Sequence, residues 1–305
     1  MKKQYDLLWK IILEPFFYDF LKFVDPILAD TIDESKKPGF LDKELISQVP
    51  NAQGGLDHRI VDKLVKLYTK SGAEEWILCH LEVQHSYNKD FAERMYFYFH
   101  SIYQKFKKPI TTYAIFTESS ELERNNVFKI DFGATKLVYE FNTYKIALQD
   151  EQELIKDPNP FALIVLIARQ IKFKTIDDDD LSDKKLLASK LEIAKLIFER
   201  KLPPEKENNL IHFLFYYIDF EIKENKTTFE RTIKLLTDKN IDDMTMQEAI
   251  LEETKFEGIR EGKQISKEEV VTRMIIHHLS DDQIIEYVDV EPGFVNRLRQ
   301  KVGKN

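Results

Sequence analysis

The stretch that most restricts the fold of this chain runs from Trp76 to Gln84, nine residues that are largely aliphatic. Side chains on a strand alternate between its two faces, so the stretch predicts a buried strand with an apolar side. The opposite side carries Glu82 and Gln84 close to the strand's end. A carboxylate and an amide are costly to bury on an apolar strand unless they have partners. Either the strand end reaches water, or these two side chains belong to a site.

Composition favours a helix-rich globular protein. Hydrophobic residues make up 43% of the chain, which is enough for a core, and the low counts of 9 Gly and 10 Pro argue against a turn-rich β architecture. The single cysteine, Cys79, excludes an internal disulfide and fits a reducing compartment. The sequence shows neither a secretory signal pattern nor an apolar run long enough to span a membrane. We therefore expect a cytoplasmic protein.

The net charge of the chain restricts how it can bind nucleic acid. The formal net charge is −8, which argues against a general nucleic-acid binder. The acidic excess lies mainly after residue 150. Any DNA-binding surface must therefore be a local patch.

The first 150 residues predict a small α/β domain. Helical periodicity runs from Tyr5 to Ile32, with breaks at Pro15 and Pro26. A first short strand is predicted from 40–41 and 44–49. Further strands are predicted at 60–68, 76–84 and 111–116, a helix at 89–106, and one or two more strands within 128–146. The segment 60–84 predicts an antiparallel hairpin, which can bring Asp62 beside the end of the strand that carries Glu82.

The second half, residues 151–305, predicts a helical region that begins after Asp157-Pro158-Asn159-Pro160. Helices are expected at 161–173, 183–200, 208–220, 229–236 and 245–258. Four consecutive aspartates at 177–180 indicate a helix start, which attracts acids, and not a metal site. Two short helices within 268–302, the second of them basic, indicate either a plain helical hairpin or a helix-turn-helix that contacts DNA.

Asp62 and Glu82 are candidate ligands of a divalent metal. Two converging carboxylates suit Mg²⁺, which prefers oxygen ligands, and the backbone carbonyl of Val83 is a candidate third ligand. A metal held in this way polarises a phosphoryl oxygen and activates its bound water. Gln84 can orient that water or contact a phosphate, and Arg94 can neutralise the charge that develops on it.

Each of these residues also has an ordinary structural interpretation. Asp62 and Glu82 would then form common salt bridges at strand ends. Arg94 and Tyr98, four residues apart, would belong to a helix face that packs on the sheet. His80 shares its side with Glu82 and is interpreted as a hydrogen-bonded, half-buried histidine.

Three strings occur in sequence order: Asp62-Lys63-Leu64-Val65, His80-Leu81-Glu82-Val83-Gln84-His85 and Asp90-Phe91-Ala92-Glu93-Arg94-Met95-Tyr96-x-Tyr98. Together they resemble the Rpn family of recombination-promoting nucleases and transposase-like proteins. Three further stretches are similar to other parts of that family: Asp6-x-x-Trp9-Lys10, Asn159-Pro160-Phe161 and Gly258-x-x-x-Gly262. The family is a branch of the PD-(D/E)XK nuclease superfamily in which glutamine replaces the signature lysine.

The resemblance implies an α/β fold, a restriction-endonuclease-like mixed sheet flanked by helices, followed by an all-α C-terminal half. It implies metal-dependent endonucleolytic cleavage of DNA, linked to recombination and mobile elements. Asp62 and Glu82 would bind Mg²⁺, for which Mn²⁺ would substitute, and Gln84 would stand in the place of the lysine. The family's upstream acid is left open between three residues, Asp6, Asp42 and Glu44.

A homodimer is expected because cutting both strands of a duplex suits two sites related by symmetry. Two alternatives to an active endonuclease remain. One is a nuclease-fold protein without turnover that binds DNA or assists recombination. The other is an interaction protein whose helical half mediates dimerisation.

Overall fold

The structure is a computed structural model, and its described residues are 2–41, 46–50, 56–60, 63–71, 76–84, 89–237, 270–272, 274–275, 280–288, 290 and 292–302. The chain divides into two compact units. The first unit comprises residues 1–49 and 56–246, and the second comprises residues 50–55 and 247–305. The fold is mixed α/β, as the sequence predicts.

The chain opens with three helices whose breaks lie where the prolines predict them. They are α1 (Lys2–Leu13), α2 (Phe17–Val24) and α3 (Pro26–Thr31). Residues 14–16 form the turn around Pro15. Pro26 occupies the first turn of α3, and the side chain of Asp25 caps that helix by accepting a hydrogen bond from the Leu28 backbone N at 2.9 Å.

In the described part of the chain, nine strands form three sheets. They are β1 (Gly39–Phe40), β2 (Ile46–Pro50), β3 (Leu56–Ile60), β4 (Lys63–Tyr68), β5 (Trp76–Gln84), β6 (Ile110–Phe116), β7 (Val127–Phe132), β8 (Thr135–Glu140) and β9 (Asn142–Lys145). The largest sheet has the order β1-β4-β5-β6-β9, while β2 pairs with β3 and β7 with β8. Strands β1, β4 and β5 run antiparallel, and β5, β6 and β9 run parallel.

The β4–β5 hairpin predicted from residues 60–84 is present. Its register pairs Lys63 with Leu81 at one end and Tyr68 with Trp76 at the other. Helix α4 (Phe91–Phe106) then crosses over to the parallel strand β6, as a parallel connection requires. Of the predicted strand 60–68, Ile60 is the last residue of β3 and Lys63 is the first residue of β4, and residues 61 and 62 lie outside the described residues.

Helices cover both faces of the central sheet within the first unit. On one face, α4 buries Phe91, Met95 and Tyr98 in a cluster with Ala114 and Phe116 of β6. On the other face, the ring of Phe20 from α2 lies 5.6 Å from that of Tyr113 and 5.2 Å from that of Phe161. The central sheet is therefore the middle layer of three.

The segment 128–146 forms more strands than the one or two that its sequence predicts. Strands β7 and β8 make a ribbon with Phe132 opposite Thr135, joined by the two residues Gly133 and Ala134. Gly133 has φ +59°, which favours glycine and suits the first central position of a type II′ turn. This turn divides the segment, and β9 then leaves the ribbon to pair with β6.

The helical half contains α5 (Glu151–Lys156), α6 (Pro160–Arg169), α7 (Asp179–Glu199), α8 (Pro204–Tyr216) and α9 (Lys223–Thr237). Helix α7 begins four residues before its predicted start at 183 because Asp178 caps it, accepting from the Leu181 backbone N at 3.0 Å. This confirms the interpretation of the four aspartates as a helix start. The predicted helix at 245–258 lies outside the described residues.

The domain division predicted at residue 150 stays a prediction. Within the first unit, helices from both sides of that position pack together, α1 on α8 and α2 on α6. Trp9 of α1 is fully buried, and its ring lies 5.6 Å from that of Phe213.

The second unit contains α10 (Asp281–Val288) and α11 (Pro292–Val302) among its described residues. They share a small core with the described residues 271 and 275. Arg299 Nη2 lies 2.6 Å from Asp281 Oδ1 and ties the two helices together. The predicted pair of short helices is thus present, and its contact with DNA stays a prediction. None of the described helices combines the length and apolar character needed to cross a membrane.

Candidate functional site

The candidate site lies at the C-terminal end of β5. In the parallel ladder, Glu82 pairs with Ala114 and Gln84 pairs with Phe116. Paired positions of neighbouring strands share one face of a sheet. Ala114 and Phe116 pack in the cluster with α4, so positions 82 and 84 belong to the face that α4 covers.

Several predicted site residues lie outside what the structure describes. Asp62, Asp42 and Glu44 are not among the described residues. For Asp6 and for residues 76–84, which include His80, Glu82, Val83 and Gln84, the backbone is described and the side chains are not. The meeting of Asp62 with Glu82 therefore stays a prediction.

Arg94 and Tyr98 lie one turn apart on α4, the helix over this face. Apolar residues at helical spacing bury α4 against the sheet, and Tyr98 is fully buried with them. Arg94 is half-buried near the start of the helix, with its guanidinium carbon 5.0 Å from the centre of the Phe91 ring. Its backbone N donates to the carbonyl of Asp90 at 3.0 Å.

Sequence reasoning missed a buried ion cluster just beyond the end of β6. Oε1 of Glu118 accepts hydrogen bonds from Arg124 Nε at 2.6 Å and from Lys145 Nζ at 2.5 Å. The three side chains are only 11%, 13% and 7% exposed, respectively. Burial favours a raised pKa for Glu118, but the hydrogen bonds and positive charges of Arg124 and Lys145 outweigh it, so the pKa lies below its usual value.

Lys145 of this cluster lies on the same face of the sheet as the candidate site. Lys145 pairs with Phe116, and Phe116 pairs with Gln84, so positions 84, 116 and 145 form a row across one face of the sheet. The sequence signal for this cluster was a carboxylate and a lysine at the ends of two strands. Pairing the two side chains required recognising β9 as a separate strand, which the sequence pattern did not resolve.

An open cleft of about 500 Å³ lies between the start of α4 and β7. Its lining combines both charges with apolar surface: Lys89, Asp90, Glu93, Lys129, Ala92 and Phe128. Because the charges nearly balance, the cleft does not select anions by charge alone.

Within the described residues, no group of three or more His, Cys, Asp or Glu side chains is arranged to hold a metal ion. Asp62 and Glu82 are outside that statement because neither side chain is described. Their donor chemistry, two carboxylates and a backbone carbonyl, nevertheless matches the hard oxygen ligands that Mg²⁺ prefers.

No family model, curated protein or solved structure matches the chain. The resemblance to the Rpn family thus stays an expectation based on the motifs quoted above.

Proposed function

We propose that the protein is a Mg²⁺-dependent DNA endonuclease that hydrolyses phosphodiester bonds and acts in recombination or at mobile elements. Asp62 and Glu82 bind the metal, and the central sheet is of the PD-(D/E)XK type. The observation that carries the proposal is the register of β4 and β5.

The register supports a shared metal site because of where its last described pair lies. Lys63 is opposite Leu81, and the next pair of the same ladder would be Asp62 with Glu82. Directly opposite residues of an antiparallel pair share a face, with Cβ atoms roughly 4.5–5.5 Å apart. Two carboxylates at that separation can ligate one ion.

The third proposed ligand lies on the same strand as Glu82. Strand β5 continues to Gln84, three residues past Leu81, and residues 82–84 pair with residues 114–116 of β6. The carbonyl of Val83 is proposed to complete the set of three protein oxygens, in agreement with the preference of Mg²⁺ for few protein ligands and several waters.

Mg²⁺ bound at this position supplies a polarised phosphoryl oxygen and a water of lowered pKa. Gln84, on the same face, orients the attacking water through its amide or hydrogen-bonds the phosphate. Arg94, on the helix that covers this face, would stabilise the negative charge that develops on the phosphate. Asp62 and Glu82 would hold the ion through their carboxylate oxygens.

The observed architecture agrees with the proposal at a coarse level. A mixed sheet with helices on both faces is the arrangement that the Rpn resemblance implies. The antiparallel hairpin, the crossover helix and the parallel strand follow in that order around residues 62–116.

The proposal is tested by incubating supercoiled plasmid with the 305-residue chain and Mg²⁺ or Mn²⁺. We expect nicking by the parent and no detectable nicking by Asp62→Ala or Glu82→Gln, because either change removes a ligand. Glu140→Gln, an exposed acid on β8, is the matched control and should nick like the parent.

Metal binding provides a second readout. Calorimetric titration with Mn²⁺ should lose its binding signal in Glu82→Gln and retain it in Glu140→Gln. Nicking by both ligand variants at the parent's rate would reject the metal site. Salt-sensitive DNA binding without cleavage by the parent would instead support the non-catalytic DNA-binding alternative.

A further inference from the structure

The β7–β8 ribbon exposes apolar side chains that a surface hairpin normally avoids. Phe132 is 83% exposed and Ile130 is 41% exposed on one face, the face that packs on α4 through Phe128. The outer edge of β7 has no strand neighbour among the described residues. An edge of this kind is a template for pairing with another strand.

We propose that two copies of the chain form a dimer through their β7 strands, paired antiparallel with Ile130 on the twofold axis. The pairing is β-augmentation between identical edges. It does not depend on the proposed nuclease activity, since none of the residues that it uses belongs to the metal site.

Charge complementarity selects a second copy as the occupant of this edge. Along β7 the order is Phe128-Lys129-Ile130-Asp131-Phe132. With Ile130 on the axis, Lys129 of each copy lies opposite Asp131 of the other, so both charge pairs are attractive. The opposite face then pairs Ile130 with its own copy and Phe128 with Phe132 of the second copy.

The backbone agrees with this register. In a hairpin with a two-residue turn, the flanking pair, Phe132 and Thr135, exchanges backbone hydrogen bonds, and such pairs alternate along the ladder. The N–H and C=O groups of Ile130 therefore point towards β8, and those of Lys129 and Asp131 point outward. Those outward groups are the ones that hydrogen-bond when Lys129 faces Asp131 of the second copy.

In this register, Phe132 of the second copy lies beside the cleft next to β7. Phe128 and Ala92 contribute its apolar lining, and Phe128 is the position opposite Phe132 of the second copy. Dimerisation would thus cover the 83% exposed Phe132 ring with apolar surface. The existing ion pair of Asp131 with Lys136 does not oppose this, because it is long, 3.8 Å, and exposed.

Charge reversal tests the register by sedimentation velocity on the full chain. Lys129→Asp and Asp131→Lys each place two like-charged pairs across the axis and should raise the dissociation constant roughly 10-fold or more. An equimolar mixture of the two variants should dimerise again, since both cross-axis pairs are then of opposite charge. Glu140→Lys, on β8, is the matched control and should dimerise like the parent.

A disulfide cross-link tests whether Ile130 lies on the twofold axis of the dimer. In Ile130→Cys, two cysteines face each other in a non-hydrogen-bonded pair, with Cα atoms about 4.5 Å apart, which a disulfide can bridge. Under mild oxidation this variant should run as a covalent dimer, while Val138→Cys, exposed on β8, and the parent with Cys79 alone should not. A parent that is monomeric at roughly 100 μM overturns the proposal. Variants that dimerise like the parent, or a mixture that fails to reassociate, also overturn it.

Discussion

At the scale of single residues, the least expected feature is the complete burial of the charged side chain of Lys190. Its side chain is fully buried in α7, and Nζ donates to the carbonyls of Leu214 at 2.6 Å and Phe215 at 3.2 Å. These carbonyls belong to the last turn of α8, where the helix dipole favours a cation. The rings of Phe220 and Phe229 lie 5.1 and 5.5 Å from Nζ. Burial nevertheless dominates and lowers the pKa of Lys190 to about 7.

This lysine predicts a pH dependence of stability. Because its folded pKa of about 7 lies below the ordinary value of 10.5, the unfolded state binds more protons between those pH values. Stability therefore rises with pH across that window. In urea unfolding at several pH values, we expect the parent to gain stability relative to Lys190→Met between pH 7 and 10. Lys185→Met, exposed on the same helix, should keep a constant difference from the parent. A constant difference for Lys190→Met would contradict the prediction.

Helical periodicity in the sequence indicates that Lys190 lies on the apolar side of α7. The residue stands on the stripe of Leu186, Ile193 and Ile197, which are buried at helical spacing. A lysine on an apolar stripe normally extends its ammonium to water. Only the packing of α8 and α9 over α7 closes that route, and this tertiary arrangement cannot be read from one helix.

At the scale of elements, the sequence predicted most of the first unit because local patterns determine it. Pro15 and Pro26 divided the N-terminal helices, and the 60–84 hairpin and the helix near 89–106 formed as expected. The pairing of β9 with β6 could not be predicted, since the parallel partner of a short strand depends on long-range packing. The Glu118 ion cluster was missed for the same reason, because Lys145 is 27 residues away in the chain.

The start of α6 gives a prediction at this scale. Asn159 Oδ1 accepts from the Phe161 backbone N at 2.8 Å, while Nδ2 donates to the Asp19 carbonyl in α2 at 2.9 Å. Asn159→Ala removes the cap and the bridge between helices, and should lower the free energy of unfolding by about 1–3 kcal/mol. Asn159→Asp preserves the cap alone and should lose less. Equal unfolding midpoints in urea for parent and Ala variant would show that neither bond contributes.

At the scale of the whole molecule, the two halves recognised in the sequence share buried surface. The ring of Phe20 lies 5.2 Å from that of Phe161, and the ring of Trp9 lies 5.6 Å from that of Phe213. Composition and periodicity predicted an α/β half and a helical half; the structure is mixed α/β, residues 151–237 are helical, and the division into two domains stays a prediction. Their intimate packing could not be predicted, because an apolar helix face does not specify its partner. Of the site, the strand end and the helix with Arg94 were predicted, and the metal pair stays a prediction.

A fragment of residues 1–150 is therefore expected not to fold cooperatively, because it exposes the faces of α1 and α2 that α8 and α6 cover. Residues 1–246, which include the whole first unit, are the matched comparison. Thermal unfolding followed by circular dichroism should be broad for the short fragment and sigmoidal for the longer one. A sharp transition in the short fragment would establish 1–150 as an independent domain.

The contact between α1 and α8 also has a consequence during synthesis. Trp9 Nε1 donates to the Tyr217 hydroxyl at 3.3 Å, across a separation of 208 residues. A ribosome that adds roughly 5–20 residues per second needs about 10–40 s to deliver Tyr217 after Trp9. Throughout that interval the indole lacks its final neighbours, so the nascent chain exposes an apolar surface that a chaperone can shield until Tyr217 has been synthesised.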